Sequence, residues 1–335
     1  MARVLTLEIN KAIITLISAC LLIGLFFGFL IGKESHHNLF ANGEIRAGMK
    51  EGDFTNPLLE CEIGRESIAS PKDDFTPELT EFVDLQKKQH GLGALSVYYR
   101  DLNNGPVINV NANESFIPAS LLKVPVLIAF LKYAEDVPGV LDEKVTYTSP
   151  VDIGYVQEFP PAVPLKSGQA YRFRDLIENM TIYSDNQALM LLVSRLPKSY
   201  QEDLYGRVGV DDDFIWNPNS ALTVRQYSIF FRVLFNSSFL SQHNSEYALK
   251  LLSESTFKDG LVAGVPGNIT VSHKFGEREV QGLQQFHDCG IIYYPKHPYL
   301  LCVMTRGADN QTLIGVIKRT SAFVYAKIDE QYGQE

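Results

Sequence analysis

Cysteine is scarce in this chain: four among 335 residues, at Cys20, Cys61, Cys289 and Cys302. No C-x-x-C or H-x-H cluster is present, so no metal and no cofactor is expected. No block of Lys or Arg occurs and the net charge is −9, which argues against a nucleic-acid partner. No internal repeat is found, which excludes solenoids and propellers. What remains is ordinary globular composition, 45% apolar and 21% charged. It is enough chain for one large domain or two small ones.

Charge is also missing from one long stretch. AIITLISACLLIGLFFGFLIG, residues 12–32, has no charged side chain. At about 1.5 Å per residue it matches a hydrocarbon core of roughly 30 Å. It exceeds the roughly 7–15 apolar residues of a signal peptide, and no small-residue cleavage site follows. The expectation is an uncleaved transmembrane helix after a short cytoplasmic tail, residues 1–11. Arg3 and Lys11 precede it, Lys33 and Glu34 follow, and the weak positive bias favours a cytoplasmic N-terminus. Cys20 closes a lipobox-like ISAC, but apolar residues continue past it, so a membrane-buried thiol is the reading. Residues 33–75 are polar without a sustained period and read as a stalk. Residues 76–335 read as the folded domain, on the outer side of the membrane.

Within that domain, TPELTEFVDLQKKQHG (76–91) reads as a first helix, capped by Thr76, with Pro77 in its first turn and Gly91 at its end. ALSVYYRDLNNGPVINVN gives two alternating strands around Asn104-Gly105, a strong hairpin signal. An apolar helix runs from Ser120 to about Glu135. FRDLIENMTIY and NQALMLLVSRL read as helices flanking a polar break at Ser184. TVRQYSIFFRVLFN from Thr223 and SEYALKLLSES are two more. HDCGIIYYP and YLLCVMTRG read as strands, and TLIGVIKRTSAFVYAKI as a closing amphipathic helix. Strands at both ends and helices between them predict an α+β fold: an antiparallel sheet flanked by helices, plus a mainly helical lobe. Cys289 and Cys302 fall on the two late strands, with their register open. The sequence implies no oligomeric state.

S-x-x-K occurs twice, at Ser120–Lys123 and at Ser255–Lys258. Residues three apart on a helix share a face. Lys123 leads into VPVLIAFLKYAE, which would hold both side chains. Lys258 leads into DGLVAGVPG, which supplies no scaffold. Ser184-Asp185-Asn186 sits between central helices, and Lys274-Phe275-Gly276 opens an expected strand. Singly, each has a plain explanation: a serine cap, a snorkelling lysine, turn residues, a solvated strand charge. S-x-x-K, S-D-N and K-T-G in that order together mark serine acyl-transfer chemistry, and this chain has the first two and the third with Phe275 in its middle position.

From about residue 76 onward the chain resembles the class A β-lactamase-like family, which includes β-lactamases and penicillin-binding serine hydrolases. YRDLNNGPVINVNANESFIPASLLKVPVLIAFL is similar to that family's hairpin and nucleophile helix. LIENMTIYSDNQALMLL and HDCGIIYYPKHPYLLCVMTRG resemble its second motif and last strands. The resemblance implies Ser120 as nucleophile and Lys123 as its base. It implies Ser184 as the proton relay to the leaving nitrogen and Asn186 as the holder of the substrate amide. Lys274 would attract a substrate carboxylate. The N–H groups of Ser120 and Glu277, beside Gly276, would form the oxyanion hole. The implied partner is a β-lactam or a peptidoglycan stem peptide, met outside a bacterial-type cell membrane.

Two departures stand out. Phe275 occupies the position where the family usually has Thr or Ser, whose hydroxyl helps bind the substrate carboxylate. Arg278 is a candidate donor in its place; a substrate less dependent on that contact is the other possibility. No E-x-x-L-N, which would supply the glutamate for deacylation, lies between the second and third motifs. The corresponding VGVDDDFIWNPNSALTVRQY offers only Asp211, Asp212 and Asp213, which read as a solvated turn, with Glu202 on an exposed helix before them. A missing general base costs roughly 10²–10⁴-fold. Acylation is expected, and slow turnover. β-lactam hydrolysis and D-alanyl-D-alanine peptidase activity stay open, as does a non-catalytic binding module on the same fold.

Overall fold

A computed structural model describes residues 54–55, 74–103, 105–148, 157–210 and 220–334. The expected membrane span 12–32, Cys20, Cys61, Asn104 and Asp211–Asp213 lie outside these residues. Among the described residues, no helix is long and apolar enough to cross a membrane.

Helix α1 is Thr76–Gln89, with Gly91 (φ +60°) turning the chain after it. The expected cap, Thr76, lies inside the helix. The N-cap position is Phe75, whose side chain makes no capping bond, and Asp74 before it accepts the Thr76 N–H through Oδ1 at 2.9 Å. A carboxylate there satisfies a free donor and meets the positive end of the helix dipole. The Thr76 hydrogen bonds accordingly lower the Asp74 pKa.

Strands β1 (Ala94–Asp101) and β2 (Val107–Val110) form the expected hairpin. Gly105 is needed in its turn, since a Cβ would stand 2.6 Å from Asp101 Cγ. After the short β3 (Ser115–Phe116), the expected helix from Ser120 is two pieces. Ala119–Leu122 is a 3₁₀ turn, and helix α2 is Lys123–Asp136. Strands β4 (Lys144–Thr146) and β5 (Ala170–Arg172) pair beside helix α3 (Phe173–Ile182). Helices α4 (Asn186–Arg195) and α5 (Lys198–Val208) follow, with Glu202 exposed on α5. Strand β6 (Leu222–Thr223) pairs with β3 and leads into α6 (Val224–Phe235), then α7 (Gln242–Ser253).

The last strands are β7 (Val271–Val280), β8 (Leu283–Ile292) and β9 (Tyr299–Gly307), closed by helix α8 (Asn310–Tyr332). Two expectations are corrected here. Lys274 lies inside β7 rather than at its opening, and β8 begins at Leu283, before His287. The tight hairpin between them was not legible. Gln281 and Gly282 both take positive φ, +53° and +79°, the requirement of a two-residue turn that Asn-Gly would have advertised.

The sheet is antiparallel, ordered β2-β1-β9-β8-β7, as the α+β reading requires. Strand β7 is therefore an edge. One face packs Leu95, Val97 and Val303 against Leu79 and Val83 of α1 and Leu313 and Val316 of α8. The other packs Tyr98, Ile291 and Met304 against the helical lobe, with Leu127, Phe130 and Phe231 in its core. Central strands buried on both faces read as continuous apolar runs, which is why YLLCVMT shows no alternation. Cys289 and Cys302 are buried free thiols directly opposite each other on β8 and β9.

Part of the expected stalk is seated on the domain. The N–H groups of Phe54 and Thr55 donate to the Glu246 carboxylate on α7, and the Tyr293 hydroxyl donates to Phe54 O at 3.0 Å.

Helix α6 carries a capping box: the Thr223 hydroxyl accepts the Gln226 N–H, and Gln226 Oε1 accepts the Thr223 N–H at 3.0 Å. Thr223→Ala removes the hydroxyl that accepts the Gln226 N–H and leaves the backbone N–H end of the box in place. It is expected to cost about 1 kcal/mol in urea unfolding, with an unchanged m-value.

Candidate active site

The segment that carries Ser120 is held from three sides. Ile117 donates its N–H to Gln285 Oε1 at 3.0 Å, and its carbonyl accepts from His287 Nε2 at 3.0 Å. Both side chains stand on β8, two residues apart, so they share one face of the strand. The Tyr227 hydroxyl on α6 donates to Leu121 O at 2.9 Å. Strand β7 closes the third side at Gly276. A Cβ there would meet Pro118 O at 2.7 Å and Leu121 N at 3.0 Å, so only glycine lets the Ser120 turn lie against the strand. Ala119 has φ +52°, a left-handed conformation costing roughly 1–2 kcal/mol that this grip sustains.

Ser120, Lys123, Ser184, Asn186 and Lys274 converge, and all are buried. Lys123 Nζ lies 2.8 Å from Ser120 Oγ, 2.8 Å from Ser184 O, 3.1 Å from Ser184 Oγ and 2.6 Å from Asn186 Oδ1. Lys274 Nζ donates to Ser184 Oγ at 2.9 Å and to Phe275 O at 3.1 Å. The Ser184 hydroxyl thus bridges two lysines. Ser184 pays in backbone strain, with φ +56°, while Asp185 caps α4 through the N–H groups of Gln187 and Ala188. Asn186 Nδ2 is buried with no partner, a donor left free beside Ser120 and Lys123.

Burial pushes the Lys123 amine well below the ordinary lysine range, and the Lys274 charge adds to this. Burial also brings Lys274 down to about 7, against the pull of Asp288 and Glu277. A neutral lysine amine has two N–H donors and one lone pair. Ser184 O and Asn186 Oδ1 take the two donors of Lys123. The lone pair is left for the Ser120 hydroxyl, which is the geometry of a general base.

The remaining expected residues divide between two sides of β7. Gly276 and Arg278 fall on the Lys274 face, while Phe275 and Glu277 fall on the other. Arg278, three positions from Phe275, is therefore on the opposite face from the residue whose hydroxyl it was expected to replace. Phe275 packs among Phe159, Phe257 and Phe286. The Glu277 carboxylate accepts the Phe159 N–H at 2.9 Å, and its pKa is raised by burial. The second S-x-x-K does not assemble: Lys258 Nζ donates to Ser253 O. Among the described residues no group of His, Cys, Asp or Glu could hold a metal ion.

Sequence reasoning missed Gln285, His287, Tyr227 and Phe159. Gln285 and His287 did leave a signal, as polar residues at alternate positions of a strand that turns apolar only after Asp288. Their partner lies some 170 residues away, which local pattern cannot supply.

Fold and site together define a serine–lysine centre between an antiparallel sheet and a helical lobe. The sequence pattern of the β-lactamase enzyme family matches residues 75–328, and the chain belongs to that family. No curated protein matches it. Among solved structures, a class A β-lactamase from Mycobacterium abscessus superposes with TM-score 0.64 and 21% identity, over 75% of this chain and 99% of that one. A variant of PBP-A, in an acyl-enzyme complex with penicillin G, superposes with TM-score 0.63 and 20% identity, over 78% and 99%. The TLA-3 extended-spectrum β-lactamase gives 0.65 at 17% identity, over 76% and 99%. These likenesses establish the shared fold.

Two outcomes follow from the grip on residues 117–121. Gly276→Ala is expected to displace the Ser120 turn and lower its acylation by about 10²-fold, with circular dichroism unchanged. His287 is buried, with its pKa lowered to about 4 from 6.5. A depressed histidine contributes stability that is complete above pH 6.5 and is lost as pH falls toward 4. The 2.5-unit difference (6.5 − 4) is about 3 kcal/mol. Unfolding free energies measured across that window should fall more steeply in the wild type than in His287→Gln.

Proposed function

We propose that this chain is an active-site serine hydrolase in which Ser120 is acylated by β-lactams or related amides and releases the acyl group slowly. The observation that carries the reading is the 2.8 Å approach of Lys123 Nζ to Ser120 Oγ, with both other Lys123 donors committed elsewhere. Lys123 takes the Ser120 proton as Oγ attacks the carbonyl. Ser184, linked to both lysines, passes a proton to the leaving nitrogen. The Ser120 and Glu277 N–H groups receive the oxyanion, and the free Asn186 Nδ2 donates to the substrate's amide carbonyl. PBP-A, a structural neighbour, carries penicillin G as an acyl-enzyme, which supports a β-lactam as the acylating compound.

Slow release is favoured by the sequence, which has no E-x-x-L-N between Asn186 and Lys274. That same absence favours a second reading, a D-alanyl-D-alanine carboxypeptidase or penicillin-binding protein acting on peptidoglycan peptides. Residues 12–32, uncharged throughout, would tether the enzyme to a bacterial-type membrane with its catalytic domain outside.

Intact-protein mass spectrometry with benzylpenicillin tests the reading. The expected result is a stable adduct that Ser120→Ala abolishes. Lys123→Arg, a fixed cation, should slow its formation by about 10²–10⁴-fold. Wild-type acylation should fall on acidification, as Lys123 gains its proton. Rapid hydrolysis of a chromogenic cephalosporin without a lasting adduct would make the enzyme an efficient lactamase instead. A wild type that is never labelled would leave a non-catalytic module.

A further inference from the structure

Lys274 is the buried cation beside the nucleophile, and its approaches are filled. It is 0% exposed. Its Nζ donates to Ser184 Oγ and Phe275 O, and it stands 4.1 Å from the centroid of the Phe275 ring. A hydroxyl, a carbonyl and a π face take the places an anion would need. The Phe275 ring is itself locked. Phe257 lies 4.4 Å away, Phe286 stacks at 5.9 Å and 14°, and Phe159 closes edge-on at 6.1 Å.

The charge around this wall is negative. Glu277, two residues along β7 on the Phe275 side, holds the Phe159 N–H. Glu158 adjoins it electrostatically and accepts from Asn310 Nδ2. The other cation of β7, Arg278, lies four residues from Lys274, about 13 Å along the strand. A carboxylate brought beside Lys274 would exchange water for ring faces, which carry the negative part of the aromatic quadrupole, near the like charge of Glu277. A neutral ester, amide or aryl group would bury apolar area there at no such cost.

We propose that the subsite beside Lys274, walled by Phe275 and bordered by Glu277, takes an uncharged group. The acyl donor is then one whose carboxyl next to the scissile amide is masked as an amide or ester, or is absent. This rests on the reading of Ser120 as an acylated nucleophile. It reverses the carboxylate preference that Lys274 alone would suggest.

The test uses the full chain in detergent micelles. Second-order acylation rates are measured by intact mass for benzylpenicillin and for its methyl ester, each divided by the compound's own hydroxide reactivity. A fluorophosphonate probe reports separately on Ser120. The ester should react at least about tenfold faster than the acid. Phe275→Thr or Glu277→Gln should bring the two within about threefold. The inference is overturned, with the nucleophile intact, if fluorophosphonate labels Ser120 yet the acid reacts as fast as the ester or faster. The same holds if neither penicillin reacts, or if neither variant moves the ratio. A chain that fluorophosphonate also leaves unlabelled removes the Ser120 reading itself, and the subsite with it.

Discussion

A lysine amine sealed from water, with acceptor oxygens at hydrogen-bond distance, must shed its proton or be paired at great cost. Lys123 is in that position. Burial and the neighbouring Lys274 both disfavour its charged form, and Asp185 and Glu277 act on it only as electrostatic neighbours. The neutral amine is directional in a way the ammonium is not. Two of its three bonding directions end on Ser184 O and Asn186 Oδ1, and the third points to Ser120. The S-D-N turn is therefore more than a source of a proton relay. It orients the Lys123 amine. Ser184 adopts φ +56° so that its carbonyl and its hydroxyl can both meet Lys123 Nζ, and Asp185 holds the turn by capping the next helix.

The sheet does the same for Ser120. Residues 117–121 have few regular backbone bonds of their own, being a 3₁₀ turn entered through a left-handed alanine. Rigidity comes instead from β8, α6 and β7, through Gln285, His287, Tyr227 and the missing side chain of Gly276. His287 must be neutral to serve, because its Nδ1 accepts the Thr305 N–H while Nε2 donates to Ile117. Burial lowers its pKa to about 4, against the Ile117 hydrogen bond, which raises it.

The sequence was legible where chemistry is local. Ser120 and Lys123 sit one turn apart, Ser184 and Asn186 flank one helix cap, and the hairpin at β1–β2 declares itself through its turn. Choosing between the two S-x-x-K matches also needed only the apolar run after Lys123. Failures follow a common physical cause. The helix starts at Thr76, one residue earlier than a cap there implies, with Phe75 in the cap position. The Gln281-Gly282 turn works because Gln accepts positive φ when the strands around it are already paired. Phe159, Gln285 and Tyr227 act across more than 100 residues, where only the folded chain defines neighbours. Even strand parity was available and unused: an odd spacing from Phe275 to Arg278 already placed them on opposite faces.

Parity also explains why Phe275 matters although its neighbour Lys274 makes the contact with Ser184. On an edge strand, consecutive side chains leave on opposite faces, yet a long one can curl around the free edge. The Phe275 ring stays packed against Phe286 and Phe257, and Lys274 Nζ reaches it at 4.1 Å. The ring stabilises the ammonium but occupies the place of its counter-ion. With Lys274 lowered to about 7, both protonation states are populated near neutrality. Binding an anion would have to fix the proton on Lys274 and evict the ring. Binding a neutral group needs neither. A site with two lysines drawn toward neutrality, next to Glu277, therefore holds little fixed positive charge.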